Sequence, residues 1–256
     1  MGRPLVLLSN DDGVRARGLL TLRDALLEIA DVVTVAPEHE QSATSHSLSL
    51  HRPLRVSEVS STVFSVDGTP ADCVYVALFA KDRFLPRPPT IVVSGINRGL
   101  NLATDVHYSG TVAAAREAAL RGYQSVAFSA DLDADVFEAA KLARRIVTSV
   151  LEGEDRSPIL LNVNFPAGNH WNVRTTRLGS RKYRDGVEIR HDPRGREYLW
   201  IGGPPGVEHD RDSDTDTTAF DAGFATITPL SLDPSAPDAV ARVETLVHSV
   251  NDETES

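Results

Sequence analysis

The chain has 256 residues, 41% of them hydrophobic, with 26 Lys and Arg against 36 Asp and Glu and a formal net charge of −10. That is enough apolar material for one large α/β domain or two small ones. The acidic balance excludes a sequence-independent nucleic-acid binder, which needs a basic face against the phosphate backbone. A small anion remains compatible, because a bound cation reverses the local sign of charge.

No run approaches the ~18 apolar residues of a membrane-spanning helix, and the apolar run 4–8 is too short for a secretory signal. The one cysteine, Cys73, lies in an apolar segment, where packing is its expected role. These features predict a cytoplasmic protein with neither a membrane nor a nucleic-acid polymer as partner.

In chain order, residues 5–8 form a buried strand that breaks into Asn10-Asp11-Asp12-Gly13. Adjacent carboxylates repel each other unless a cation or proton compensates them. One reading is a divalent metal, Mg²⁺ or Mn²⁺, with coordination positions left for a phosphate. The other is a solvated Asp-Gly turn. Leu19, Leu22, Leu26 and Ile29 then mark one stripe of a helix that starts near Gly18. Residues 32–36, closed by Pro37, read as a second strand, and residues 63–66 as a third. A helix over 71–80 follows, with Pro70 just inside its start.

Residues 91–94 repeat the buried-strand pattern and end in a loop, Gly95-Ile96-Asn97-Arg98-Gly99. Ser109-Gly110 precedes a helix over 111–121 that stops at Gly122. A strand at 125–129, a helix at about 135–151 and a strand at 159–163 continue the alternation, which implies an α/β fold with a mostly parallel sheet and right-handed crossovers. Beyond Pro166 short β runs take over. Asp192-Pro193-Arg194-Gly195 joins 187–190 to 197–201 as a projecting hairpin, 202–216 reads as an irregular loop, 224–228 as a strand and 237–250 as a last helix.

In an open parallel sheet, ligands bind beyond the carboxyl ends of the strands. Asp11 and Asp12 follow the first strand, Ser42 follows the second, and Asn97 follows the strand at 91–94. Two carboxylates, a hydroxyl and an amide oxygen suit a hard cation, although an isolated Ser or Asn is usually a loop hydrogen-bonder. At Tyr108-Ser109-Gly110-Thr111 a helix N-terminus offers free N–H groups, two hydroxyls and a positive dipole end, either an anion site or an ordinary Ser cap.

Several segments resemble, in order, the SurE family of metal-dependent nucleoside monophosphate phosphatases. They are Leu8-Ser9-Asn10-Asp11-Asp12-Gly13, Val35-Ala36-Pro37 with Ser42, Ser47-Leu48-Ser49-Leu50-His51-Arg52-Pro53, Gly68-Thr69-Pro70-Ala71-Asp72-Cys73-Val74, Ser94-Gly95-Ile96-Asn97-Arg98-Gly99, Tyr108-Ser109-Gly110-Thr111-Val112 and Asn162-Val163-Asn164-Phe165-Pro166. The match runs from about residue 4 to about 230.

The resemblance implies a single Rossmann-like domain with helices on both faces of the sheet. Its core covers about 1–170 and 220–230, its hairpin arm about 180–203 and its oligomerisation tail about 231–256, in a homodimer or homotetramer. It further implies one Mg²⁺ or Mn²⁺ per subunit on Asp11, Asp12, Ser42 and Asn97, phosphate contacts from Ser109, Gly110 and Thr111, and catalytic roles for Asp11, Asp12, Asn97 and Ser109. The implied reaction is hydrolysis of nucleoside 5′- or 3′-monophosphates, with short polyphosphates an open question. Three departures bear on loop shape and substrate preference: Ala43 where Gly is common, Gln41 where a basic residue is common, and His46 where Asn is frequent.

Water attack is expected rather than an aspartyl-phosphate, since both carboxylates are committed to the metal. His51 is a candidate general acid, though a lone loop His is more often structural. Asp214-Thr215-Asp216-Thr217-Thr218 superficially matches the Asp-x-Asp-x-Thr string of haloacid-dehalogenase-type phosphatases but lacks the preceding apolar strand, so a surface loop is expected there. No Gly-x-Gly-x-x-Gly follows the first strand, and no P-loop string occurs. The remaining alternative is a non-catalytic nucleotide-binding regulatory module.

Overall fold

The computed structural model describes residues 2–184, 186–202, 207–209 and 212–254. The first half is laid down as β1 (Leu5–Ser9), α1 (Arg17–Leu26), β2 (Asp31–Pro37), β3 (Val56–Ser60), β4 (Val63–Val66), α2 (Pro70–Phe79), β5 (Ile91–Arg98) and α3 (Gly110–Leu120). The second half adds β6 (Ser125–Ala130), α4 (Val136–Glu152), β7 (Leu160–Phe165), β8 (Val173–Thr175), β9 (Arg181–Tyr183), β10 (Val187–His191), β11 (Glu197–Ile201), β12 (Val207–His209), α5 (Asp216–Asp221), β13 (Ala225–Pro229) and α6 (Val240–Thr254).

Nine strands form one sheet in the order β3-β4-β2-β1-β5-β6-β7-β13-β8. From β4 to β7 every neighbouring pair is parallel, while β3 and β13 pair antiparallel with β4 and β7. The chain builds outward from β1 through β2 to β4 and then returns to place β5 on the other side of β1. Strand order therefore reverses between β1 and β5, the position where open α/β sheets open a crevice for ligands.

Alternation along β1 sends side chains to both faces. Val6 and Leu8 pack with Leu19, Leu22 and Leu26 of α1 and Ala143 and Val147 of α4. Leu5 and Leu7 pack on the opposite face with Cys73 and Val74 of α2 and Ala114 and Ala118 of α3. All five residues of β1 are buried, so the sequence there is a continuous apolar run rather than an alternating one. Caps fix where helices begin. Thr69 and Asp72 form a capping box at α2 with Pro70 in its first turn, and the Asp135 carboxylate accepts from the Phe137 and Glu138 N–H groups at the start of α4. Gly18 is required at α1, because a Cβ there would lie 2.0 Å from the Ile96 carbonyl oxygen.

Several expectations are corrected. The strand at 91–94 continues to Arg98, so Asn97 stands at the end of β5 rather than in a loop. Helix α1 stops at Leu26, short of Ile29. The edge strand β3 was not anticipated: its five residues are all exposed, so it carries no hydrophobic signature. Asp214 to Thr218 is not a surface loop. Thr215 caps α5, and the fully buried Asp216 carboxylate accepts from the N–H groups of Ala103 and Gly179, pinning two segments to the core. β12 lies inside the stretch read as irregular, and the last helix begins at Val240 after a 3-10 turn at Pro237–Ala239. The arm forms as expected, with β10 and β11 antiparallel around Asp192, whose carbonyl accepts from the Gly195 N–H. Gly203 to Gly206 of the expected loop lie outside the described residues.

Candidate active site

The carboxyl ends of β1, β2 and β5 and the N-terminus of α3 converge. Asp11, two residues beyond the end of β1, is almost completely buried. Its Oδ2 accepts from the Thr111 N–H at 3.0 Å and its Oδ1 from the Thr111 hydroxyl. Burial pushes its pKa up to about 6, and the neighbouring Asp12 charge adds to that rise against the Thr111 bonds. Asp12 is raised above the ordinary carboxylate range too, chiefly by burial and further by Glu40, although its Oδ2 accepts from the Arg98 N–H at 3.1 Å.

Gly110 permits the approach of α3 to β1: a Cβ there would sit 2.8 Å from the Asp11 Cβ and 3.0 Å from its Oδ2. Ser109 is the α3 N-cap, and its hydroxyl oxygen accepts from the Val112 N–H at 3.0 Å. The Ser-cap expectation is met, and a hydroxyl that accepts from the helix retains its own proton as a donor. Thr111 differs from expectation, because its N–H and hydroxyl both donate to Asp11 and orient that carboxylate.

Ser42 is carried by the loop after β2, which is tied down at several points. The Gln41 N–H donates to the Asp11 carbonyl at 2.7 Å, the Ser45 N–H to the Tyr108 carbonyl at 3.0 Å, and His46 Nε2 pairs with Glu117 Oε2 at 2.8 Å. Ala43 and Ser45 take left-handed backbone angles, φ 57° and 55°, so the loop turns sharply just after Ser42. The Ser42 hydroxyl donates to Glu40 Oε1 at 2.8 Å and keeps lone pairs for a cation. Asn97 Nδ2 donates to the Gly99 carbonyl at 3.0 Å, which fixes the amide and leaves its Oδ1 as the oxygen that could face a cation.

Asp11, Ser42, Asn97, Arg98, Tyr108 and Ser109 line one cavity of about 290 Å³. Asp12 lines an adjoining cavity of about 670 Å³ that shares Asn97 and Arg98 with the first. Asp11, Ser42 and Asn97 thus share one cavity although they come from residues 11 to 97 of the chain, whereas Asp12 lines the adjoining one. His51 is exposed and lines neither cavity. The donor chemistry suits Mg²⁺ or Mn²⁺. Among the described residues no three His, Cys, Asp or Glu side chains cluster as a softer or all-carboxylate site would. Two acids, a hydroxyl and an amide supply hard oxygen donors, and a cation would relieve the cost of adjacent carboxylates, one buried and one half-buried.

Sequence reasoning missed the supports. Asn101 donates its N–H to Asn164 Oδ1 at 2.8 Å and its Nδ2 to Ser129 Oγ at 2.7 Å, while its carbonyl accepts from Asn162 and Asn164. This buried polar knot holds the segment that follows Asn97 against β6 and β7. At the cavity mouth, Asp105 accepts from Arg181 at 2.6 Å and from the Tyr183 hydroxyl at 2.7 Å. The paired Asn162 and Asn164 inside an apolar strand were the available signal for the knot; nothing local marked Asp105.

Fold and site define an α/β enzyme of the phosphatase class, with oxygen donors and a helix N-terminus gathered at the switch point of a parallel sheet. The chain belongs to the SurE family: residues 6–185 match the family model described as Survival protein SurE. It is 55% identical over 255 residues to the 5′-nucleotidase SurE of Sorangium cellulosum, covering 98% of both chains. It is 45% identical over 238 residues to the 5′-nucleotidase SurE of Desulforudis audaxviator, covering 89% of this chain and 91% of the relative. Among solved structures, the SurE protein from Aquifex aeolicus superposes with a TM-score of 0.81 at 35% identity, covering 95% of this chain and 99% of that one.

Proposed function

We propose that this chain is a divalent-metal-dependent phosphomonoesterase that hydrolyses nucleoside 5′- and 3′-monophosphates to nucleoside and phosphate. The observation that carries the reading is the buried Asp11 carboxylate, pressed against the start of α3 in the cavity that also receives Ser42, Asn97 and Ser109. Asp11, Asp12, Ser42 and Asn97 would hold Mg²⁺ or Mn²⁺. When bound, that ion supplies Lewis-acid polarisation of a phosphoryl oxygen and an acidified water.

The protein groups do the remaining work. Thr111 holds the Asp11 carboxylate in a fixed orientation, so little reorganisation accompanies the reaction. The Ser109 hydroxyl and the Gly110 N–H at the start of α3 bind the phosphoryl oxygens, and the positive end of the helix stabilises the charge that shifts toward the leaving group. Arg98, on the shared wall of both cavities, adds a guanidinium to the same phosphate. With both carboxylates directed to the cation, the nucleophile is water and no aspartyl-phosphate forms.

The same proposal includes a homodimer or homotetramer built through the arm and tail. Leu199 and Ile201 on β11 and their cross-strand partners Ile189 and Val187 on β10 are 57%, 93%, 60% and 59% exposed and share one face of the hairpin, an apolar surface unusual for a monomer. On the tail, Val240 and Val243 are also exposed. A reducing, cytoplasmic setting suits the buried free thiol of Cys73. No helix among the described residues is long and apolar enough to cross a membrane.

The test is phosphate release from a panel of 5′- and 3′-nucleotides and short polyphosphates, with Mg²⁺ or Mn²⁺ and with excess chelator. Release from monophosphates that stops on chelation is the expected result. Nucleotide binding without release under every metal condition would favour the regulatory module instead.

A further inference from the structure

The proposed phosphate chemistry draws only Asp12, Asn97 and Arg98 from the adjoining 670 Å³ cavity and leaves the rest of its lining without a role. We propose that the larger cavity is the nucleoside subsite, in which the base stacks on the Phe137 and Arg17 pair and the nucleoside donates hydrogen bonds to Asp131 and Asp135. This rests on the phosphomonoesterase function proposed above.

Position comes first. The two cavities share Asn97 and Arg98, so the leaving group of an ester whose phosphate sits against Ser109 lies next to the larger one. A volume of about 670 Å³ lies in the range of small-molecule sites.

The lining also matches the chemistry of a nucleoside. Phe137, in the first turn of α4, is 54% exposed, and the Arg17 guanidinium carbon lies 5.3 Å from its ring centroid. A planar base extends such a stack whatever its sequence identity, because every base has a π face. Behind it, Ile96 and Ala130 supply a buried apolar wall. Asp131 and Asp135 each spend one carboxylate oxygen, Oδ1, on backbone N–H groups at the start of α4 and in the turn before it. Ionised carboxylates only accept, and the ribose hydroxyls and base amino groups are donors.

Charge decides the orientation. Apart from Asp12 and Arg98, which belong to the phosphate site, the larger cavity sets Glu40, Asp131 and Asp135 against one guanidinium, Arg17, which disfavours a phosphate there and favours a neutral, donor-rich leaving group.

The experiment compares the parent protein with Phe137→Ala and Phe137→Trp, each checked for native circular dichroism, on adenosine monophosphate and on glycerol 2-phosphate in Mn²⁺. Binding of adenosine alone is measured calorimetrically without metal. The subsite predicts that Phe137→Ala raises KM for the nucleotide and weakens adenosine binding by about ten-fold. It also predicts unchanged kcat/KM for glycerol 2-phosphate and recovery in Phe137→Trp. An unchanged nucleotide KM, or equal losses on both esters, overturns it while the phosphatase function stands. Adenosine binding that depends on Phe137, in a parent that cleaves neither ester, supports the subsite and overturns the phosphatase function alone.

Discussion

Strands β1 and β11 are both five residues long and rich in apolar side chains, yet every residue of β1 is buried and every residue of β11 is exposed. β1 is covered by α1 and α4 on one face and α2 and α3 on the other, so its apolar surface is satisfied within the subunit. Among the described residues β11 pairs only with β10, and its Trp200 and Ile201 face solvent in the isolated chain. The contrast separates two uses of hydrophobicity: in the core it fixes the strand end that carries Asp11, and in the arm it stays exposed, as the surface that the proposed oligomer would cover.

The sharpest way to break that division is to alter the chemistry while keeping the core. Asp11→Asn removes a charge from an acid that burial already makes costly, so the protein is expected to stay folded while phosphate release at saturating Mn²⁺ falls at least about a hundred-fold. Near-parent turnover would refute the ligand assignment. Chelation of the parent is expected to give a comparable loss, reversible on adding Mn²⁺.

Next in size is the contrast in packing. Leu7→Ala, at a fully buried site on β1, is expected to cost about 2–5 kcal/mol in denaturant unfolding. Trp200→Ala on β11 is expected to change subunit unfolding much less and to shift sedimentation toward smaller species. A large loss of subunit stability with unchanged assembly would put β11 in the core's category after all.

The smallest effect concerns the loop that carries Ser42. Burial pushes the Glu117 carboxyl upward, but the hydrogen bonds from His46 and Arg121 outweigh it and hold the group below the ordinary carboxylate range. A depressed folded-state pKa stabilises above the unfolded value and loses that contribution as pH falls. Thermal unfolding of the parent is therefore expected to drop more steeply than that of Glu117→Gln between about pH 5 and about pH 3. Parallel profiles would remove Glu117 as the loop's anchor.

Much of the core was legible because local chemistry and tertiary role agree there. The run of residues 5–8, the Pro70 start of α2 and the leucine stripe of α1 each state an element and its buried face. β3 was invisible because its solvent-exposed edge position demands no apolar pattern. Asp216 misled because a polar string reads as a loop, whereas its carboxylate satisfies backbone N–H groups of two distant segments. Thr111 read as an anion contact because sequence cannot say that Asp11 already occupies its two donors.

Residue type alone determined that this chain forms parallel strands ending in oxygen-rich turns, because apolar runs that stop at Asp, Asn and Ser permit little else in an α/β fold. Which of those turns share one cavity was decided only by the strand order, which reverses between β1 and β5. The distance between Asp11 and the start of α3 was likewise a tertiary outcome, set by a glycine with no Cβ to hold them apart. Periodicity encodes which face of an element is buried, whereas convergence of loops depends on how the sheet is wound, and that is fixed only when all the layers pack together.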